Sequence, residues 1–410
     1  MEQAEAFEWV EGGGITSPAG FVAGATYAGI KTYGPEPRLD VALLASEMPC
    51  AVAGIFTRNQ VCGAPVLVCK EVVARGVARA VVVNSGCSNV ATGARGLADA
   101  RRMAELAAQR AGIAADEVLV ASTGVIGRPL PMDKIETGVA AVSLGHDATA
   151  GAAFARAIMT TDTVAKSRAL RVRAGDRSFV IGGAAKGSGM VHPDMATVLC
   201  FLTTDAPADP RWLQHALKAA GDDSLNMIDV DMDTSTSDTM LLLANGAAGG
   251  SAIDDSHPAA AMFSAALRAL AIELARDLAR DGEGARTLIE VTVFGAGAVG
   301  DARVAARTIV SSPLVKTMIT GRDANLGRVL MALGRSGARL ELDRTSVWIG
   351  DHCAFERGVA TALDYAEISR AMDRPEVHIR VDLGLGEAKA TAWGCDLTTD
   401  YVRINGEYTT

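Results

Sequence analysis

Short, uninterrupted apolar runs separated by glycine-rich polar clusters recur along the chain. Residues 78–84 (ARAVVVN), 117–123 (EVLVAST) and 197–204 (TVLCFLTT) show little polar alternation, the pattern of strands covered on both faces. Between the first two, residues 96–111 carry apolar side chains at helical spacing. Residues 170–173 and 178–181 flank Ala174-Gly175-Asp176-Arg177, which predicts a hairpin. The Ala/Leu-rich stretch 258–280 predicts a long helix, stopped by the two glycines of Asp281-Gly282-Glu283-Gly284. A strand follows at 288–294, further strands at 339–350 and 377–394, and a helix at 366–373. Strands alternating with helices make the chain mixed α/β. Its softest boundary falls near residue 281, between a main domain of residues 1–280 and a smaller C-terminal α/β subdomain of residues 281–410.

Composition narrows the function classes. Of 410 residues 49% are hydrophobic but only 4% aromatic, so the core must be built from Ala, Val, Leu and Ile. The net charge of −9, with no basic stripe, argues against nucleic acid as a partner. The acidic first ten residues lack an apolar signal core, and no run of ~20 apolar residues offers a membrane span. Seven dispersed cysteines without Cys-x-x-Cys, and six histidines without a paired spacing, argue against zinc and against a disulfide framework. A reducing cytoplasm fits, and no metal is expected; Asp231, Asp233 and Asp238 read as turn and hydrogen-bonding residues.

One motif is a decoy. Gly295-Ala296-Gly297-Ala298-Val299-Gly300 follows a strand and matches a dinucleotide fingerprint. The stretch after it is short, β-branched and cut by Ser311-Ser312-Pro313, so a glycine-rich turn between strands is the expectation, with nucleotide binding as the rival.

The segment richest in candidate chemistry is 186–205, KGSGMVHPDMATVLCFLTTD. A lysine opens a Gly-x-Gly turn, Pro193 fixes the chain, and Thr197 begins the strand-like run. A threonine hydroxyl needs an adjacent base, and a threonine at a chain's N-terminus carries one in its own α-amine. That amine titrates at ~7.7–8.0, whereas a lysine titrates at ~10.4. Cleavage of the Ala196–Thr197 bond would therefore expose an activated nucleophile, and the small Ala196 leaves room for attack on its carbonyl. Acyl chemistry also needs an oxyanion hole. Ser122-Thr123-Gly124, just after a predicted strand, can aim a hydroxyl and a backbone N–H at one point.

Together these residues resemble the ornithine acetyltransferase family, also called the bifunctional glutamate N-acetyltransferases of arginine biosynthesis. The resemblance runs through AGFVAGATYAGIK (19–31), NSGCSNVATG (84–93), MTTDTVAK (159–166), the 186–206 segment, DMDTSTSDT (231–239), DGEGA (281–285), GRDANLGR (321–328) and YVRINGEYTT (401–410), in the family's order. It implies an N-terminal-nucleophile acyltransferase fold related to the DmpA-like aminopeptidases. It further implies self-cleavage into an α chain (1–196) and a β chain (197–410) that remain together as an α2β2 heterotetramer. Thr197 would accept an acetyl group from N-acetylornithine and pass it to glutamate, with Thr123 and Gly124 as the oxyanion hole. Substrate contacts would be Thr160, Lys186, Thr197, Glu283, Asn405 and Thr410. No cofactor is implied, and acetyl-CoA remains open as an alternative acyl donor.

Several positions depart from the family pattern, among them Ala165, Asp194, Met232, Ser237, Leu326 and Thr409. The Ser235–Thr239 run and the last four residues are similar to the variant found in clavulanic-acid gene clusters. Two alternatives therefore stand beside the leading reading: the same chemistry on a related amino acid in a specialised pathway, and an N-terminal-nucleophile amidase or aminopeptidase.

Overall fold

The apolar runs become the inner strands of two sheets. The computed structural model describes residues 7–31, 38–174, 177–192, 198–362 and 364–407. In chain order, β1 (Phe7–Trp9), β2 (Phe21–Thr26) and the long β3 (Val41–Phe56) lead into α1 (Ala64–Arg75), β4 (Val77–Cys87), α2 (Gly93–Ala111) and β5 (Val118–Val125). Two short helices, α3 (Met132–Ala141) and α4 (Ala148–Ala157), precede β6 (Lys166–Ala174) and β7 (Arg177–Lys186). Next come β8 (Leu199–Thr204), α5 (Pro210–Asp222), β9 (Ile228–Asp229), β10 (Thr239–Ala244) and α6 (Ala260–Arg280). The last third holds β11 (Leu288–Ala296), α7 (Val299–Val310), α8 (Pro313–Gly321), α9 (Leu326–Gly334), β12 (Ser346–Ile349), β13 (His352–Glu356), β14 (Val359–Ala360), α10 (Tyr365–Met372), β15 (Glu376–Asp382), β16 (Ala388–Cys395) and α11 (Thr399–Glu407).

The first sheet has nine strands in the order β1-β6-β7-β8-β10-β3-β4-β5, with β2 also on β3. All six residues of β8 and all six of β10 are buried, because helices cover both faces. On one face α5 and α6 pack; on the other, α4 closes a separate cluster around Phe154 and Phe201. The second sheet runs β14-β13-β12-β15-β11-β16-β9. Helix α6 touches β6 and β7 of the first sheet and β11 and β16 of the second, so one hydrophobic cluster passes through both. The expected boundary near residue 281 falls where α6 ends and the chain turns into β11.

The pattern-based strands at 78–84, 117–123 and 288–294, the hairpin arms and the long helix all appear. In the hairpin Ala174 pairs with Arg177, and the two turn residues lie outside the described residues. Three expectations need correction. Residues 377–394 form two strands, β15 and β16, with a turn between them. Residues 339–350 are not one strand: a short 3-10 turn (Leu342–Arg344) precedes β12. Its alternating charges serve local ion pairs, Arg339–Glu341 and Arg344–Glu341, rather than a sheet face. The glycine motif at 295–300 leads not into a turn between strands but into α7. Burial of Ala302, Ala305, Ala306, Ile309 and Val310 against β11 and β16 overrides the β-branched propensity.

Candidate active site

The sequence-predicted oxyanion pair sits within the last residues of β5 rather than after it, Thr123 opposite Ser85 and Gly124 opposite Gly86. Gly124 has φ +126°, and a Cβ there would lie 2.3 Å from the carbonyl carbon of Gly86. Only glycine fits between the two strand ends.

Lys186 closes β7 and is buried. Its Nζ donates to Thr123 Oγ1 at 3.1 Å. A lysine can only donate, so the threonine's own proton is left for another acceptor. Burial pushes the Lys186 pKa down, opposed by the charges of Asp162, Asp238 and Glu283 and reinforced by Lys166. The register carries Lys186 opposite Leu199, two residues beyond Thr197 in the chain.

Beneath Lys186 lies a buried ionic cluster that inspection of the sequence did not single out. Lys166 Nζ meets Asp162 Oδ1 at 2.6 Å and Asp281 Oδ2 at 2.5 Å. Asp162 also accepts from the N–H groups of Gly187, at 2.7 Å, and Thr160, at 3.0 Å. Burial pushes the Asp162 carboxyl up, but the charges of Lys166 and Lys186 and the hydrogen bonds outweigh it and hold it at about 2. The sequence signal was present: Asp162 and Lys166 stand four apart in MTTDTVAK. Their partner Asp281, 115 residues beyond Lys166, could not be read from spacing.

Glu283 enters from the turn after α6. Its N–H donates to Ser188 O at 2.9 Å, and its carboxylate accepts from Asn405 Nδ2 of α11 at 2.8 Å. A Cβ at Gly189 would strike the Glu283 carboxylate at 2.4 Å, so glycine lets this acid in. Thr123, Gly124, Thr160, Lys186, Glu283 and Asn405, drawn from five separated parts of the chain, line one cavity of about 120 Å³. Ser88, Met190 and Ser235–Ser237 complete much of its wall. Ala196, Thr197 and Thr410 lie outside the described residues.

Other candidates resolve differently. Asp231 accepts from the N–H groups of Met190, Val191 and Asp233, a turn role. Among the described residues, Glu290, Glu376 and His378 have metal-like spacing, but Arg276 already bridges both glutamates. Gly295, with φ +66°, is explained by the Asp382 carboxylate, which lies 2.1 Å from where its Cβ would stand. No helix among the described residues is long and apolar enough to cross a membrane.

A small polar cavity that combines a strand-end hydroxyl and amide with a buried lysine and a carboxylate suits acyl chemistry on small zwitterions, and the fold around it is that of an α/β enzyme. The chain belongs to the ArgJ family, whose profile matches residues 22–410. It is 50% identical over 403 residues to the arginine biosynthesis bifunctional protein ArgJ of Symbiobacterium thermophilum, covering 98% of this chain and all of that one. It is 47% identical to the protein of the same name from Dehalococcoides mccartyi, over 97% of this chain and 98% of the other. Among solved structures, the ArgJ protein of Bacillus halodurans is 42% identical, with a TM-score of 0.49, over 50% of this chain and 97% of that one. The ornithine acetyltransferase of Mycobacterium tuberculosis, solved with ornithine, is 43% identical, with a TM-score of 0.43, over 46% of this chain and all of that one.

Proposed function

We propose that this acyltransferase moves the acetyl group of N2-acetylornithine to glutamate through an acetyl-Thr197 intermediate, after cutting itself between Ala196 and Thr197. The observation that carries the reading is the convergence of Thr123, Gly124, Thr160, Lys186, Glu283 and Asn405 on one cavity. Beside it begins β8, whose first residue, Leu199, follows Thr197 by two positions. Relatives matched over nearly their whole length are named for arginine biosynthesis, which supports this reading.

In this reading Thr197 Oγ attacks the acetyl carbonyl, and its proton passes to the Thr197 α-amine. The tetrahedral oxyanion accepts from Gly124 N–H and from the Thr123 hydroxyl, whose oxygen is already engaged by Lys186. The C–N bond breaks, and ornithine leaves with that proton on its amine. Glutamate's amine then attacks the acetyl-Thr197 carbonyl, and the steps run in reverse. Lys186 offers a cation to an α-carboxylate and Glu283 an anion to the side-chain ammonium of ornithine, with Asn405 fixing the Glu283 carboxylate. The acyl carrier is a side chain, so the cycle asks for no cofactor; acetyl-CoA would enter as an alternative donor to the same threonine. The cleavage products assemble as α2β2 in the cytoplasm.

Intact mass under denaturing conditions tests this directly. Two chains, residues 1–196 and residues 197–410 with an N-terminal threonine, are expected, as is label exchange between ornithine and N-acetylornithine without glutamate. A single uncut chain that nevertheless transfers acetyl would refute the threonine mechanism.

A further inference from the structure

Met190 combines a strained backbone with an exposed apolar side chain. Its φ is +55°, a left-handed conformation that glycine enters freely and a residue with a Cβ enters at a cost. A glycine would serve the turn alone, and burial in the core does not offset the cost, because Met190 is 43% exposed. Strain of this kind at a site points to a use for the side chain. The conformation is held firmly. The Asp231 carboxylate accepts from Met190 N–H at 2.6 Å and from Val191 N–H at 2.8 Å, and Val191 is buried and bridged to Thr234. The Met190 side chain lines the cavity of Thr123, Lys186 and Glu283. That wall is otherwise polar or glycine: among its described residues only Ile126, 40% exposed, is also a large apolar side chain. Ile126 follows Gly124 of the oxyanion pair by two positions. Met190 follows Gly189, whose missing Cβ makes room for the Glu283 carboxylate. Chain position thus ties Ile126 to the oxyanion pair and Met190 to Glu283.

We infer that Met190 is a specificity-determining residue: its side chain packs along the methylene chain of the substrate amino acid and limits how long that chain can be. This rests on the proposed reading of the cavity as the N-acetylornithine site and deepens it. N-acetylornithine carries three methylenes between its α-carbon and its side-chain ammonium. With the acetyl group at Thr123 and Gly124 and the ammonium on Glu283, those methylenes must cross the cavity. Hydroxyl and amide walls gain nothing from covering them, whereas an apolar side chain removes them from water. Met190 supplies that surface next to the carboxylate. Methionine is unbranched and polarizable, so it conforms to a flexible chain. Its fixed backbone leaves less freedom to lose when the substrate binds. A substrate one methylene longer would have to bulge against this side chain to bring its ammonium to the same carboxylate.

Two substitutions separate apolarity from length, and both keep a Cβ and so the same backbone cost. Acetyl transfer to glutamate is measured with N2-acetylornithine and with N2-acetyllysine, one methylene longer, as donors. Met190→Ala removes the apolar surface and opens space. Its KM for N-acetylornithine should rise about 10-fold, the scale of roughly two methylenes returned to water, with a smaller fall in kcat. Its preference in kcat/KM for N-acetylornithine over N-acetyllysine should shrink by about 10-fold or more, the scale of one methylene in a fitted pocket. Met190→Gln keeps the length and loses the apolar surface. It should show the raised KM and keep the wild-type preference. An unchanged KM or an unchanged preference in Met190→Ala would overturn the assignment, as would a wild-type KM in Met190→Gln. A wild type that transfers no acetyl group from N-acetylornithine would defeat the underlying reading of the cavity. An active wild type beside an unaffected Met190→Ala would defeat this inference alone.

Discussion

Replacing Lys166 with methionine should show what holds the floor of the cavity. The lysine side chain is 1% exposed and lies between two carboxylates that are 0% and 7% exposed. Methionine fills similar space but leaves both acids buried without their shared cation. Breaking a buried pair from one side costs about 3–5 kcal/mol. The wild-type protein sets the pH reference. Asp162 is held at about 2 against an ordinary 3.8, so it contributes roughly 2–3 kcal/mol above pH ~4, and this is lost as pH falls towards 2. In Lys166→Met the main cation lowering Asp162 is gone, and burial pushes the carboxyl up instead. The folded variant then binds protons more readily than its unfolded chain, so its deficit should be greatest at pH 7 and shrink at pH 5. Urea midpoints at matched protein concentration, at both pH values, measure this. A loss under ~1 kcal/mol, the scale of an exposed ion pair, would refute the reasoning. So would equal deficits at the two pH values.

Three further outcomes follow from the cavity. Thr123→Val removes one of the two proposed oxyanion donors and should lower kcat for acetyl transfer by about 10²–10³-fold with little change in thermal stability. Gly124→Ala forces a Cβ against the Gly86 backbone at positive φ and should cost more than about 2 kcal/mol, read as a lower urea midpoint or loss of soluble protein. Asn405→Ala frees the Glu283 carboxylate from its tether, which should raise KM for N-acetylornithine more than it lowers kcat and cost only about 0.5–1.5 kcal/mol of stability.

Much of this was legible in local pattern. The segment at 78–84 announces a strand because both of its faces are largely apolar, and 258–280 announces a helix because its small and leucine side chains end at two glycines. The same local reasoning failed where the decision was not local. Helix α7 forms on a β-branched sequence because the second sheet buries one side of it. Charges at 339–344 imitate a strand because they pair with near neighbours.

The division at the site has the same cause. The sequence alone determined which groups were available, a threonine after a small residue, a lysine before a Gly-x-Gly turn, a hydroxyl–glycine pair at a strand end, because these are properties of residue type and order. Only the tertiary structure decided that Lys186 meets Thr123, that Lys166 meets Asp281, and that Asn405 meets Glu283. Strand order and helix packing set those neighbours across 60 to more than 100 residues. Removal from water then sets their charge, an energy that exists only once the core has closed around them.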